Sequence, residues 1–335
     1  MEQKKQIAYL QWLRLFAAGA VVLMHTAADR WLSIGHMDPR WEVLTWWDSL
    51  VRWPVPIFIM ITGALFLSRR TTLGKMLTGY IPRMVVCYLI WSAVYNLYEG
   101  ECTALALASG YYHLWYLPFL WGVYLVLPFL QKIAEDDRLT DQFLRVGLVV
   151  GIGIPWMGKL LPFLLPDQTQ LVQKVVGMLN YTFFLDHVSL LLLGHKLHKT
   201  EFSPKLRRLI YALGLAGVAV TGAATIWATR RAEFQSSIFF DFTAPNNLCA
   251  AVALFVFAKY NLTKLPKTVD RLAGLSFGVY LCHVLVIELL EDRGLHVLAF
   301  DPVWWTPVLA LVVFAISSLA AAVLRKIPGL GKYLA

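Results

Sequence analysis

IAYLQWLRLFAAGAVVLMHTAA, residues 7–28, is the stretch on which the fold turns. It is apolar for about the 20 residues that a helix needs to cross a bilayer, and its interior holds one guanidinium, Arg14, and one imidazole, His25. A charge at that depth costs about 2.5–3.5 kcal/mol on insertion scales, so something must compensate it. The eleven residues from Arg14 to His25 turn an ideal helix by about 1100°, which is about 20° more than three full turns, and rise by about 16 Å. The two side chains therefore share one face, as if lining a single polar passage. The bland alternative is that Arg14 snorkels to headgroups while His25 sits at the opposite interface.

The rest of the chain repeats the pattern. Of its 335 residues, 58% are hydrophobic and only 15% charged, with a mean hydropathy of +0.59. An average soluble domain is about 25% charged, so a disordered or ordinary soluble protein is excluded. Apolar runs predict helices over roughly 7–28, 47–68, 78–98, 112–133, 143–164, 178–197, 209–229, 242–259, 272–290 and 303–324. The fold expected is all-α, a polytopic membrane bundle of about ten transmembrane helices forming one integral membrane domain over 1–335. Arg14 interrupts the first apolar run and no small-residue cleavage site follows it, so this run is read as an uncleaved helix rather than a signal peptide.

A net charge of +9 would suggest nucleic acid in a soluble protein. Here the basic residues cluster between apolar runs, and topology explains them, with no nucleic-acid partner. The side that carries Lys4, Lys5, Arg69, Arg70, Lys75, Arg83, the Lys196–Arg208 cluster and Arg325 is far richer in Lys and Arg than the side with Arg30, Arg40, Arg52 and Arg293. The positive-inside rule places both termini in the cytoplasm. Cys87, Cys102, Cys249 and Cys282 show no CxxC spacing, and neither a disulfide nor a metal site is expected.

Other polar residues recur at helical spacing. Ser276, Tyr280 and His283 lie within about 60° of one another on the ninth span, a stripe that either binds substrate or meets the first helix. His113, Trp115 and Tyr116 cluster at the outer start of the fourth span, where flat rings suit either the interface or a sugar face. Asp186 and His187 fall inside the sixth span, as acid or base groups or as a partner for Arg14. Trp31, Trp41, Trp46, Trp47, Trp304 and Trp305 read as interface anchors.

Arg14-x10-His25, together with VPIFIMITGALFL (Val55–Leu67), HLWYLPFLWGVYLVLPFL (His113–Leu130) and SFGVYLCHVLV (Ser276–Val286), resembles the bacterial membrane acyltransferase type 3 family. The resemblance implies a multi-pass enzyme of the bacterial cytoplasmic (inner) membrane. Such an enzyme moves an acyl group, usually acetyl from cytoplasmic acetyl-CoA, to a hydroxyl of a surface or lipid-linked glycan. Arg14 and His25 match the family's essential pair. His25 would be general base or transient acyl acceptor, and Arg14 the fixed charge for an anion. His113, Trp115, Tyr116, Ser276, Tyr280 and His283 become candidate substrate contacts. Arg69, Arg70 and Arg83 would rim an entrance for CoA phosphates, whose oxygens match the guanidinium fork. Two departures stand out. Gln11 and Leu15 stand where an acidic residue three before the arginine and the usual glycine after it are often found, and the arginine pair often seen at the start of the family's third helix is only partly recovered, in Arg83 within YIPRM. The other reading of an intramembrane Arg and His is an exporter or flippase of a glycan or its lipid-linked precursor.

Overall fold

The computed structural model describes residues 2–101, 103–164 and 182–335. It is 79% helical without strands among these residues, an all-α polytopic bundle. The long helices are α1 (Glu2–Ala28), α2 (Pro39–Ser49), α3 (Pro54–Phe66), α4 (Ile81–Tyr98), α5 (Tyr116–Ala134), α6 (Asp137–Val146), α7 (Ile154–Leu164), α8 (Thr182–Lys199), α9 (Pro204–Ala232), α10 (Pro245–Asn261), α11 (Lys267–Glu291) and α12 (Pro302–Leu324).

Nine segments among the described residues are long and apolar enough to cross a membrane, and they match nine of the ten expected spans. The tenth, 178–197, corresponds to α8, which stands outside that set because it carries Asp186, Lys196 and Lys199. Its first residues, 178–181, lie outside the described residues, as does Cys102. Cys87, Cys249 and Cys282 are free thiols.

Proline shapes the interior. The expected single helix 47–68 is two, α2 and α3, separated at residues 50–53 because Pro54 has no N–H to continue the ladder. Pro82 and Pro155 each follow a π-helical turn, Met76–Tyr80 and Gly147–Gly153. Their rings crowd the carbonyls four residues back, at Thr78 and Gly151, and the wider turn relieves that clash.

Helix α1 runs through the middle of the bundle, against α11, α12, α3, α10 and α2. Leu13, Ala17 and Val22 on α1 are fully buried, whereas Phe16 is exposed on the outer face. Trp31 and Trp41, expected as interface anchors, are instead buried in a core cluster with Phe240 and Val279, while Trp46 and Trp304 are exposed. The contact between α3 and α8 is closer still. A Cβ on Gly63 would stand 1.9 Å from the Leu191 carbonyl oxygen, and one on Gly194 would stand 2.2 Å from that of Met60. Such small residues let membrane helices approach backbone to backbone. Gly63→Ala is therefore expected to destabilise the protein by about 1–3 kcal/mol, because the helices must part. Gly19→Ala, which meets nothing within 4 Å, should be neutral or slightly stabilising. Thermal unfolding of the two variants in detergent compares them directly.

Candidate functional site

A cavity of ≈ 580 Å³ opens between α1, α3, α4, α5 and α11. Arg14 and His25 both line it, so the face that helical periodicity assigns them is turned inward to a cavity and not outward to lipid. Arg83, His113, Trp115, Tyr116, Ser276 and Tyr280 line it as well. Arg69 and Arg70 do not. They follow α3 in an exposed turn, where the Arg69 carbonyl accepts a hydrogen bond from Gln131 Nε2. At that end of the bundle the second guanidinium on the cavity wall is Arg325, whose Nη1 donates to the Gly274 carbonyl at 3.0 Å. In the sequence Arg325 contributes only to the topological bias, because nothing local in the chain places it on the wall that Arg83 shares.

Arg52 is the other residue that pattern reading missed. The break between α2 and α3 delivers it to the cavity wall. Its guanidinium lies over the Phe240 ring, 4.1 Å from the centroid, and donates to the carboxylate of Asp48, whose side chain is wholly buried. The only visible signal is the spacing Asp48-x3-Arg52 ahead of a proline. Thr62 also lines the cavity, where its hydroxyl donates to the Phe58 carbonyl at 2.9 Å.

Four guanidiniums, those of Arg14, Arg52, Arg83 and Arg325, thus line one cavity on which, among the described residues, there is no Asp or Glu side chain. Asp48 offsets Arg52. Arg14 makes no ion pair among the described residues, and its Nη1 donates to Gln11 Oε1 at 3.3 Å. The consequence is a cavity wall of net positive charge in a medium of low dielectric, which favours an anionic ligand.

At the other end of the cavity three imidazoles gather. His25 Nδ1 lies 2.7 Å from His283 Nε2, and the His113 ring centroid lies 6.4 Å from that of His25 and 5.3 Å from that of His283. His283 is wholly buried behind the wall rather than on it, so the α11 stripe divides: Ser276 and Tyr280 face the cavity, and His283 meets the first helix. Tyr280 donates to the His113 carbonyl at 2.8 Å and ties α11 to the segment before α5. Trp115 stacks on Phe242, with centroids 5.6 Å apart. One turn beyond His25, Asp29 has its carboxyl pushed up to about 6, chiefly by burial, with Arg30 pulling it down and Glu288 pushing it up.

Arg52, Phe240 and Phe242 also border a second, more open chamber of ≈ 1490 Å³. Asp186 and His187 lie there, hydrogen-bonded to each other and not to Arg14, together with Lys159 paired to Asp241 and with Arg231. Among the described residues, no group of three or more His, Cys, Asp or Glu side chains is placed to hold a metal ion.

A family model described as an acyltransferase domain matches residues 7–324. No curated protein and no solved structure matches the chain. A multi-helix membrane bundle, a cavity shared by the Arg14-x10-His25 pair and a match over nearly the whole length lead to one conclusion: this chain belongs to the acyltransferase type 3 family.

Proposed function

We propose that the protein is an O-acetyltransferase of the bacterial inner membrane that moves acetyl from cytoplasmic acetyl-CoA to a hydroxyl of a surface or lipid-linked glycan. The observation that carries this reading is one cavity holding a histidine cluster at one end and four guanidiniums along its wall. The basic end, with Arg83 and Arg325, is the cytoplasmic one in this reading and takes the CoA phosphates by charge-assisted bonds. The acyl thioester then reaches inward past Arg14 toward His25.

The second chamber admits the acceptor, with Arg52, Phe240 and Phe242 at the junction. On the wall of the first cavity Trp115, Tyr116 and Tyr280 offer flat faces and hydroxyls for a sugar. His25 removes the acceptor hydroxyl proton as that oxygen attacks the thioester carbonyl. The C–O bond forms, the C–S bond breaks, and His25 returns its proton to the departing thiolate. Arg52 stabilises the charge that develops on the carbonyl oxygen, and Arg14 orients the donor on its way in. We read in the run from Asp48 to Leu67 and in His113-Leu114-Trp115 a resemblance to the O-acetyltransferase that modifies enterobacterial common antigen, and a glycan of that kind is the acceptor class we favour.

The test compares surface glycans by mass spectrometry from cells with and without the protein, alongside acetyl-CoA binding by the purified protein. Loss of an acetyl increment together with donor binding is the expected result. Unchanged glycan acetylation, or folded protein that ignores acetyl-CoA, favours export of the glycan. Within this scheme Arg325→Gln is expected to raise KM for acetyl-CoA about tenfold with little change in kcat, since one charge-assisted bond is worth about 1.5–3 kcal/mol. The double change of Arg69 and Arg70 to Gln should leave KM near that of the parent protein. Steady-state kinetics in nanodiscs separates the two.

A further inference from the structure

The hydrogen bonds around His283 determine which nitrogen of His25 is basic. His283 Nδ1 lies 2.8 Å from the Tyr280 carbonyl oxygen and 3.1 Å from that of Val279. Carbonyl oxygens only accept, so Nδ1 carries the ring proton whichever of the two it favours. In the neutral ring Nε2 is then a lone pair. That lone pair faces His25 Nδ1 at 2.7 Å, and two lone pairs do not bond, so His25 donates from Nδ1. The nitrogen of His25 left with a lone pair is Nε2, on a ring that lines the cavity.

We infer that His283 is a positioning residue that holds His25 in its Nδ1–H tautomer, so that Nε2 receives the proton of the acceptor hydroxyl. This rests on the reading of His25 as the base. It replaces the expectation that His283 binds substrate: the ring is wholly buried, is absent from the cavity wall, and has both nitrogens engaged within the protein. The arrangement repeats the logic of a catalytic triad, with backbone carbonyls and a second imidazole doing what a carboxylate does elsewhere. When the proton arrives on Nε2, the Nδ1–H of His25 becomes a charged donor and its bond to His283 strengthens. The step is balanced by the return of that proton to the thiolate, and His283 itself gains and loses nothing.

The experiment uses full-length protein labelled with ¹⁵N-histidine in nanodiscs, with the His25 signals assigned by their loss in His25→Gln. The wild-type spectrum is expected to show a protonated Nδ1 and an unprotonated Nε2. In His283→Ala that single tautomer should be lost, and kcat should fall about 10²-fold, the lower end of general acid–base contributions. KM for acetyl-CoA should stay within about twofold, because the donor end is untouched. His283→Gln, whose side-chain oxygen accepts in place of Nε2, should regain about tenfold of the lost rate, which a space-filling role alone would not require. A wild-type His25 carrying its proton on Nε2, or on both nitrogens, overturns the inference, as does a folded His283→Ala protein with unchanged kcat. Should His283→Ala fail to fold, the wild-type spectrum decides alone. Undiminished transfer by His25→Ala would instead overturn the base reading, whatever the spectrum shows.

Discussion

Replacing His25 with alanine is expected to lower the rate of acyl transfer by about 10³-fold, within the range that a positioned general base contributes. The loss should appear in kcat, because the guanidiniums proposed to hold the donor are on other residues. His25 lines the cavity and faces His283 at 2.7 Å, so its removal enlarges a space already open and leaves His283 one unused lone pair. Folding should survive, and detergent-phase size exclusion and thermal unfolding can establish that before activity is read. His25→Gln is the stricter comparison, since it keeps an amide near the ring position without a base, and it should be as inactive as the alanine variant. Transfer at the wild-type rate by either folded variant would remove His25 from the chemistry.

The second large effect concerns stability. The Asp48 side chain is wholly buried, receives a hydrogen bond from Arg52, and its Oδ1 has no partner among the described residues. Arg52→Met leaves that carboxylate buried and unpaired, and breaking one side of such a pair costs about 3–5 kcal/mol. A marked fall in the unfolding temperature is expected, together with loss of transfer. Removing both charges, Asp48→Leu with Arg52→Met, should restore most of the stability, because an apolar pair of similar volume costs no desolvation. Activity should not return, since the charge between the two chambers is still missing. A double variant that is both stable and fully active would reduce Arg52 to a structural residue. An Arg52→Met protein that unfolds where the parent does would mean that water reaches Asp48.

Much of the architecture was legible because a bilayer imposes a length and a polarity on each segment, and both are local properties of the chain. Nine expected spans match observed segments, and one of those nine, 47–68, is two helices and not one, because at Pro54 the apolar run continues but the hydrogen-bond ladder does not. Trp31 and Trp41 were misplaced for a related reason. Their composition suits an interface, but α2 folds back against α1, α9 and α12 and buries them. The site was legible in part. Arg14 with His25, and Ser276 with Tyr280, were paired by periodicity within one helix, and the cavity contains all four.

Periodicity, hydropathy and the R-x10-H spacing by themselves determined a helical membrane bundle and the shared face of Arg14 and His25, because each depends on neighbours within a few turns. Tertiary packing alone decided that Arg325 joins Arg83 on the cavity wall while Arg69 and Arg70 do not, that Arg52 stands between two chambers, and that His283 backs His25 from behind the wall. Those relations join groups as far apart as 258 residues in the chain. Helix-to-helix contact, set by glycines, proline breaks and the exclusion of lipid, brings them together, and no local pattern encodes which faces will meet.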